Sequence, residues 1–576
     1  MGIWLKFQSE VSSILKDHSL ETNVILERPP KEISADLAFP CFSLAKILKK
    51  SPYEVANDIF SKSKPSGLIS SIEASGPYVN FFANWEKIGP LLLKESLRPA
   101  FGKPKKTRER IMVEFAHPNT HKAFHIGHVR NIALGESVCR ILEFSGSRVI
   151  RANYQGDIGP HVAKTIWGIQ NLGLEVPKKE KGLWLGNIYS EASKRLEGNE
   201  DLEKQVREIN KALYSGDKSL LSVWKKTRQW SLQYFEGIYR DFGVRFDRLY
   251  FESEVEKKGV RISESLVEKK IAKLSDGSII LDLNNHGLGI FVLVTRDKTP
   301  LYSAKDFALA LLQEKEFHPS RIIHIVGSEQ NLHFMQLFKS LEKINPLIAK
   351  KEFHMSYGLV TLSSGKMASR TGNVITYDDL KEEAVSRSLA VSKQHSDKNS
   401  FEPTSKKVSD LKLAENIGLG AIKYDMLRQS PEKNIVFDWN QALSLEGNSA
   451  PYLQYTFARA SSIIRKAKPN TSLRTRKSEV VSTPEKASPL THEKEIILLK
   501  RLAQFPEAIH TASRDLRPHY IANYAYELAS EFNDFYQNVR VLDVPEKPAR
   551  LALVRSVQHV LKTCLFLLGI DAPESM

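Results

Sequence analysis

Cysteine is scarce. Cys41, Cys139 and Cys564 are the only three among 576 residues, too few and too scattered for a disulfide framework or a cysteine zinc site, and a reducing compartment is expected. No apolar run approaches the roughly 20 residues that a bilayer span needs. The opening MGIWLKFQSE lacks the basic segment and apolar core of a secretory signal, and Lys6 stands where myristoylation wants Ser or Thr. A cytoplasmic chain without membrane contact is therefore expected. Negative charge is the minority sign: 67 Asp and Glu against 83 Lys and Arg leave a net +16, which suits a polyanionic partner. At this length three or four domains are expected, each large enough for its own core.

The informative stretch is IMVEFAHPNTHKAFHIGHVR, Ile111 to Arg130. A short apolar run, Ile111 to Phe115, leads into a polar turn with Pro118 and Asn119, then His125, Ile126, Gly127 and His128. Leu134, Val138, Ile141 and Leu142 follow at helical spacing, Gly146 marks a stop, and Ser147 to Asn153 reads as a second strand. Strand, turn, helix and strand form a right-handed crossover of a parallel sheet, and such sheets place ligands where a strand end meets a helix N-terminus. Four histidines crowd the turn, at 117, 121, 125 and 128. They fit a wet loop that caps backbone groups. They also fit a polyphosphate cradle of imidazole and helix N-terminal N–H groups, with Gly127 permitting close approach. A metal site fits worst: His121, His125 and His128 have ligand-like spacing, but no Glu follows as in H-E-x-x-H and no cysteine pair stands nearby.

The extended motif VEFAHPNTHKAFHIGHVRN resembles the signature of class I aminoacyl-tRNA synthetases, and its flanks resemble arginyl-tRNA synthetase in particular. Later segments recur in that family's order, so the resemblance covers nearly the whole chain. It implies a Rossmann-like α/β parallel-sheet catalytic domain at 105–440 with a helical insertion at about 178–245. A small N-terminal α/β tRNA-binding domain at 1–104 and a C-terminal all-α anticodon-binding bundle at 441–576 complete the expectation. In FVLVTRDKTPLYSAKDFAL, Tyr302 and Asp306 lie four apart, so on a helix both project to one side. Asp306 alone also fits a dipole-stabilising charge near a helix start. A guanidinium is planar and carries five donors, so a selective pocket wants carboxylates placed for forked hydrogen bonds. By the resemblance, Glu114, Asn119, Tyr302 and Asp306 match the family's arginine-holding positions. Gln330, in HIVGSEQNLHFMQLF, completes the pocket, with Glu329 its nearest competitor for the role, and His333 is expected to face the nucleotide.

For ATP, bound with Mg2+ as a substrate complex, the resemblance nominates His117, Pro118, His125, Gly127, His128 and a second loop. That loop, SSGKMASRTGNVIT, resembles the KMSKS motif but departs from it, with Ala368, Ser369 and Arg370 at its last three positions. Lys366, Met367 and Arg370 are its expected ATP contacts, and Lys122 is the expected source of the missing charge. By itself this loop fits a basic surface turn better. No tightly bound metal is expected. The implied reaction is ATP-dependent activation of L-arginine and its transfer to tRNA(Arg) by a monomer; the alternative is a catalytically inactive tRNA-binding relative.

Further along, one helical stretch is expected around Ser43 to Ser61, a helical insert without chemistry of its own at 178–245, and exposed loops at Ser392 to Lys407 and at 466–491. Helical repeats such as Ile496, Leu499 and Leu502 then run to the end. Tyr520, Tyr524, Asn533, Tyr536 and Arg540 are the candidate anticodon contacts.

Overall fold

The computed structural model describes every residue except 1, 17–24, 31–32, 105, 364–374, 396–403 and 468–487, with the backbone alone at 391–395 and 404–409. Near the N-terminus, β1 (Leu37–Pro40), β2 (Ile69–Ser75) and β3 (Tyr78–Ala83) form an antiparallel sheet in the order β1-β3-β2. The helical stretch expected around Ser43 to Ser61 is present as two helices, Phe42–Leu48 and Pro52–Lys62. Lys49 takes a left-handed conformation with φ 54°. Pro52 disfavours helix at the residue before it, so Ser51 instead caps the second helix in a reciprocal pair with Glu54.

The chain then builds its main sheet. Strands β4 (Arg110–Glu114), β5 (Arg148–Gln155) and β6 (Arg248–Phe251) come first, followed by a small antiparallel sheet of β7 (Lys273–Ser275), β8 (Ser278–Asp282) and β9 (Ile290–Val294). Next are β10 (Arg321–Gly327) and β11 (Glu352–Tyr357), and last the parallel pair β12 (Val360–Leu362) and β13 (Ile435–Phe437). The five-stranded sheet has the order β11-β10-β4-β5-β6, and its pairs are parallel. From β4 the chain steps one way to β5 and β6, then returns to the other side of β4 for β10. The crevice between β4 and β10 is thus the topological switch point, where open α/β sheets hold ligands. Glu114, last in β4, pairs in register with Ala152 on one side and His324 on the other.

The signature helix, Ile126–Phe144, crosses from β4 to β5 and is buried along most of its length. Its low-polarity packing face admits no extra atom at Gly135, where a Cβ would fall 2.2 Å from the Phe115 ring. Three helices, Lys181–Leu196, Glu200–Ser215 and Lys218–Phe242, form the insert between β5 and β6. The loop expected at Ser392 to Lys407 is helical at both ends, because helices Tyr377–His395 and Thr404–Leu427 run into it. A bundle of Ala450–Lys466, Glu493–Asp515, Pro518–Asn538 and Lys547–Leu567 closes the chain. Among the described residues no helix is long and apolar enough to cross a membrane.

Gly135→Ala is expected to destabilise the catalytic unit by about 1–3 kcal/mol, the usual cost of overpacking a closed core. A lowered thermal midpoint by calorimetry checks this; an unchanged one contradicts the packing described.

Candidate active site

A cavity of about 300 Å³ opens at the switch point, and Glu114, Asn119, Tyr302, Asp306 and Gln330 all line it. Three different elements bring them together: the end of β4 and its following turn, the pocket helix Tyr302–Phe317, and the turn after β10. Gln330 reaches the cavity and Glu329 is not among its lining residues. Asp306 sits in the second turn of the pocket helix, not at its start, so its place follows from the cavity rather than from the helix dipole. His117 and His333 line the same cavity. His333 was expected beside the nucleotide; its Nε2 lies 2.7 Å from Asp306 Oδ2.

Glu114 is only 3% exposed. Its Oε1 lies 2.9 Å from His324 Nδ1, and its Oε2 accepts from Gln313 Nε2. Burial pushes its proton affinity up, but the facing His324 outweighs that and holds the carboxyl below its ordinary range. Glu252, also on the cavity wall, pairs with Lys305 at 2.6 Å, and burial raises it despite that partner. The wall carries buried polar atoms that have no hydrogen-bond partner among the described residues: His117 Nε2, Tyr154 Oη, Gln313 Oε1 and Glu352 Oε1. Unsatisfied atoms of this kind are rare in folded proteins and suit a strongly polar ligand. Gln313, His324, Glu352, Tyr154 and Glu252 escaped the sequence reading. His324 and Gln313 lie mid-strand and mid-helix, Tyr154 is near the end of β5, and Glu352 and Glu252 open their elements, and only the tertiary packing brings them to the cavity.

The turn after β4 is strained. Ala116, His117 and His121 have φ of 78°, 48° and 65°, a region that costs non-glycine residues of order 1 kcal/mol or more each. Asn131 of the signature helix holds the turn: its Oδ1 accepts from Ala116 N at 2.6 Å and its Nδ2 donates to Ile325 O at 2.7 Å. His121 is buried, with its ring nitrogens 2.9 Å from Thr120 Oγ1 and 2.7 Å from Thr227 Oγ1, and its N–H donates to Ser231. Thr227 and Ser231 belong to the insert, so that segment, expected to be inert, braces the site. Gly156 is required by the same crowding. A Cβ there would fall 2.2 Å from Asn119 Oδ1.

At the far end of the turn, His125 caps the signature helix. Its Nδ1 accepts from Gly127 N at 3.1 Å, while His128 Nδ1 accepts from His125 N at 3.2 Å. With both Nδ1 atoms accepting, the proton of each neutral ring sits on Nε2. Burial and then the Lys122 charge pull His125 down to about 4, and burial pulls His128 well below its ordinary value. Two neutral N–H donors thus stand at a helix N-terminus, which favours anions. Lys122 itself lies over the Tyr189 ring at 4.8 Å. Pro118 is buried in the turn.

Lys366, Met367 and Arg370 lie outside the described residues. The segments flanking them are tied to the signature: Ile126 N donates to Ile375 O at 3.1 Å, and Tyr377 N to Phe124 O at 2.7 Å. Buried Arg130 secures the approach, donating to Gly358 O at 2.6 Å and to Pro431 O and Lys433 O at 2.8 Å.

Comparison with known proteins decides the family. Residues 88–439 match the family described as tRNA synthetases class I (R), catalytic domain. Residues 5–83 match the arginyl tRNA synthetase N terminal domain, and 453–576 the DALR anticodon binding domain. The arginine–tRNA ligase of Clostridium perfringens is 33% identical, over 99% of this chain and 100% of that one. That of Bdellovibrio bacteriovorus is 35% identical, over 96% and 94% respectively. The Thermus thermophilus arginyl-tRNA synthetase structure superposes with a TM-score of 0.78 at 27% identity, covering 99% of both chains. The chain belongs to the class I arginyl-tRNA synthetases.

In this synthetase the C-terminal bundle carries a cleft of about 600 Å³ lined by Tyr455, Arg459, Arg465, Tyr536 and Arg540. Arg459 lies between the Tyr455 and Tyr536 rings, 4.8 Å from each. Two other candidate contacts turn inward instead: Tyr524 is buried with its hydroxyl on Arg501 O, and buried Asn533 bonds Arg459 and Thr456. Both lie on the packed face of their helix, which spacing alone did not separate from the exposed face.

Gly156→Ala is expected to displace the Asn119 amide and raise the KM for arginine about tenfold, a penalty typical of a polar group moved by roughly an ångström. The KM for ATP should stay unchanged in pyrophosphate exchange; equal effects on both substrates would contradict this placement of Asn119.

Proposed function

We propose that the cavity at the switch point is the arginine pocket of an enzyme that activates L-arginine with MgATP and transfers it to tRNA(Arg). As a member of its family the chain is an arginine–tRNA ligase. Its relatives carry the name of a ligase, which favours this reading over an inactive tRNA-binding protein. The observation that carries the pocket assignment is the presence of Glu114 and Asp306 in one cavity, whose turn ends at the paired histidines of the helix N-terminus.

Glu114 and Asp306 would grip the guanidinium, whose flat fork of donors matches carboxylates as a lysine ammonium does not. Asn119, Tyr302 and Gln330 would fix the rest of the amino acid. An oxygen of the arginine carboxylate attacks the α-phosphorus of ATP in line and pyrophosphate leaves, giving arginyl-adenylate. A hydroxyl of the terminal ribose of tRNA then attacks the activated carbonyl, and AMP leaves. Nothing in this scheme needs a covalent enzyme intermediate. The Nε2–H groups of His125 and His128 would donate to phosphate oxygens as charge grows there, with Gly127 giving room and Lys122, Lys366 and Arg370 supplying positive charge. His117, Pro118 and Met367 would shape the nucleotide side. Residues 1–104 and 441–576 would hold the tRNA outside the catalytic part at 105–440. We place the enzyme in the cytoplasm, acting as a monomer.

Charging of total tRNA with each labelled amino acid in turn should give arginine alone. Glu114→Gln and Asp306→Asn should each lower kcat/KM for arginine by about a hundredfold, as when one partner of a buried charge pair is removed, with little change in the KM for ATP. If both keep wild-type arginine kinetics, the pocket assignment is wrong. His128→Ala should instead lower the rate of adenylate formation by about a hundredfold, as for a lost donor to developing charge, with the arginine KM nearly constant. Single-turnover measurement of pyrophosphate release checks it.

A further inference from the structure

At the floor of the cavity His324 of β10 stands between two acids. Its Nδ1 is 2.9 Å from Glu114 Oε1 and its Nε2 is 2.6 Å from Glu352 Oε2. All three side chains are almost fully buried. A carboxylate oxygen can only accept, so a ring with one at each nitrogen needs a proton on both. Burial by itself pulls His324 down, but the two acids outweigh it and lift it to about 10. Gln313 closes the arrangement by donating to the other oxygen of Glu114, which leaves the plane of that carboxylate set.

We propose that His324 is a positioning residue for amino-acid selection: as an imidazolium it keeps Glu114 ionised and aims it at the guanidinium. The proposal rests on the arginine-pocket reading above. Glu114 on β4 faces the acid of β11 across the intervening β10 and is poorly solvated, so without a cation between them it takes up a proton. A protonated Glu114 offers the guanidinium one donor and no charge. The other titratable groups do not substitute for His324. Glu114 also faces His117 in the turn, Tyr154 on β5 and Tyr250 on β6, and His354 of β11 faces His324. Burial depresses both histidines and raises both tyrosines, so all four are neutral near neutral pH. Across the cavity, Asp306 and His333 pair with each other.

The test is the pH dependence of the arginine KM in His324→Gln, which can still donate one hydrogen bond but carries no charge. In the wild type the KM should be flat between about pH 6.5 and about pH 8.5, because Glu114 stays ionised throughout. In His324→Gln it should be raised about tenfold at about pH 6.5 and fall severalfold by about pH 8.5, as Glu114 loses the competing proton. The KM for ATP should not follow. An arginine KM equal to wild type, or raised by one constant factor at every pH as a packing defect would do, overturns the proposal. Should that variant fail to fold, wild-type enzyme labelled with ¹⁵N in its histidines decides. One imidazolium ring signal must persist at about pH 8.5, well above the ordinary histidine value of about 6.5, and its absence overturns the proposal. Glu114→Gln assayed in parallel separates the two readings. A normal arginine KM there sinks the pocket itself, whereas a raised one beside a normal His324→Gln sinks only the role of His324.

Discussion

The connection from β4 to the signature helix is the constraint on which the rest depends. Glu114 stands at its start and His125 at its end, so the cavity and the histidines of the helix N-terminus share one short piece of backbone. Three of its residues sit in left-handed conformations without being glycine. That strain persists because Asn131 fastens the turn from within the signature helix, and Thr227 and Ser231 fasten it from the insert. Gly135 and Gly156 leave no room for side chains against Phe115 and Asn119. The site is therefore held by close packing from three sides.

Buried charge is balanced locally throughout this region. Glu114 and Glu352 share His324, Glu252 pairs with Lys305, and Asp157 with Arg228. An unpaired buried carboxylate costs several kcal/mol or takes up a proton, and each of these acids has a partner. The partners also orient the acids. On the proposed reading, a guanidinium entering such a cavity would meet carboxylates already aimed, with the cost of arranging them met during folding.

Much of the site was legible because its residues come in short runs with local meaning. The strand, the P-N turn and the capped helix were visible from hydrophobic spacing and from Gly127 and Gly146. Tyr302 and Asp306 share a face because helical periodicity requires it, and Gln330 follows β10 directly. Other features were hidden for physical reasons. That His333 lies against Asp306 was not visible, because which way a first-turn side chain points depends on what packs beside it. The break at Lys49 to Ser51 within the helical stretch turns on a left-handed residue and a capping pair, which apolar spacing does not locate. Tyr524 and Asn533 turned inward because three neighbouring helices bury that face.

The sequence by itself determined several local units: the strand before the P-N turn, the helix after it, the histidines between them and the excess of positive charge. Those follow from periodicity, capping and composition, which act over a few residues. Only the tertiary structure decided that Gln313, His324 and Glu352 meet Glu114. Their meeting depends on β10 and β11 being laid down beside β4 after the chain has crossed to β5 and β6, a long-range strand order that short-range spacing does not encode. The same order decided which acids would be buried together and so where a cation between them was needed.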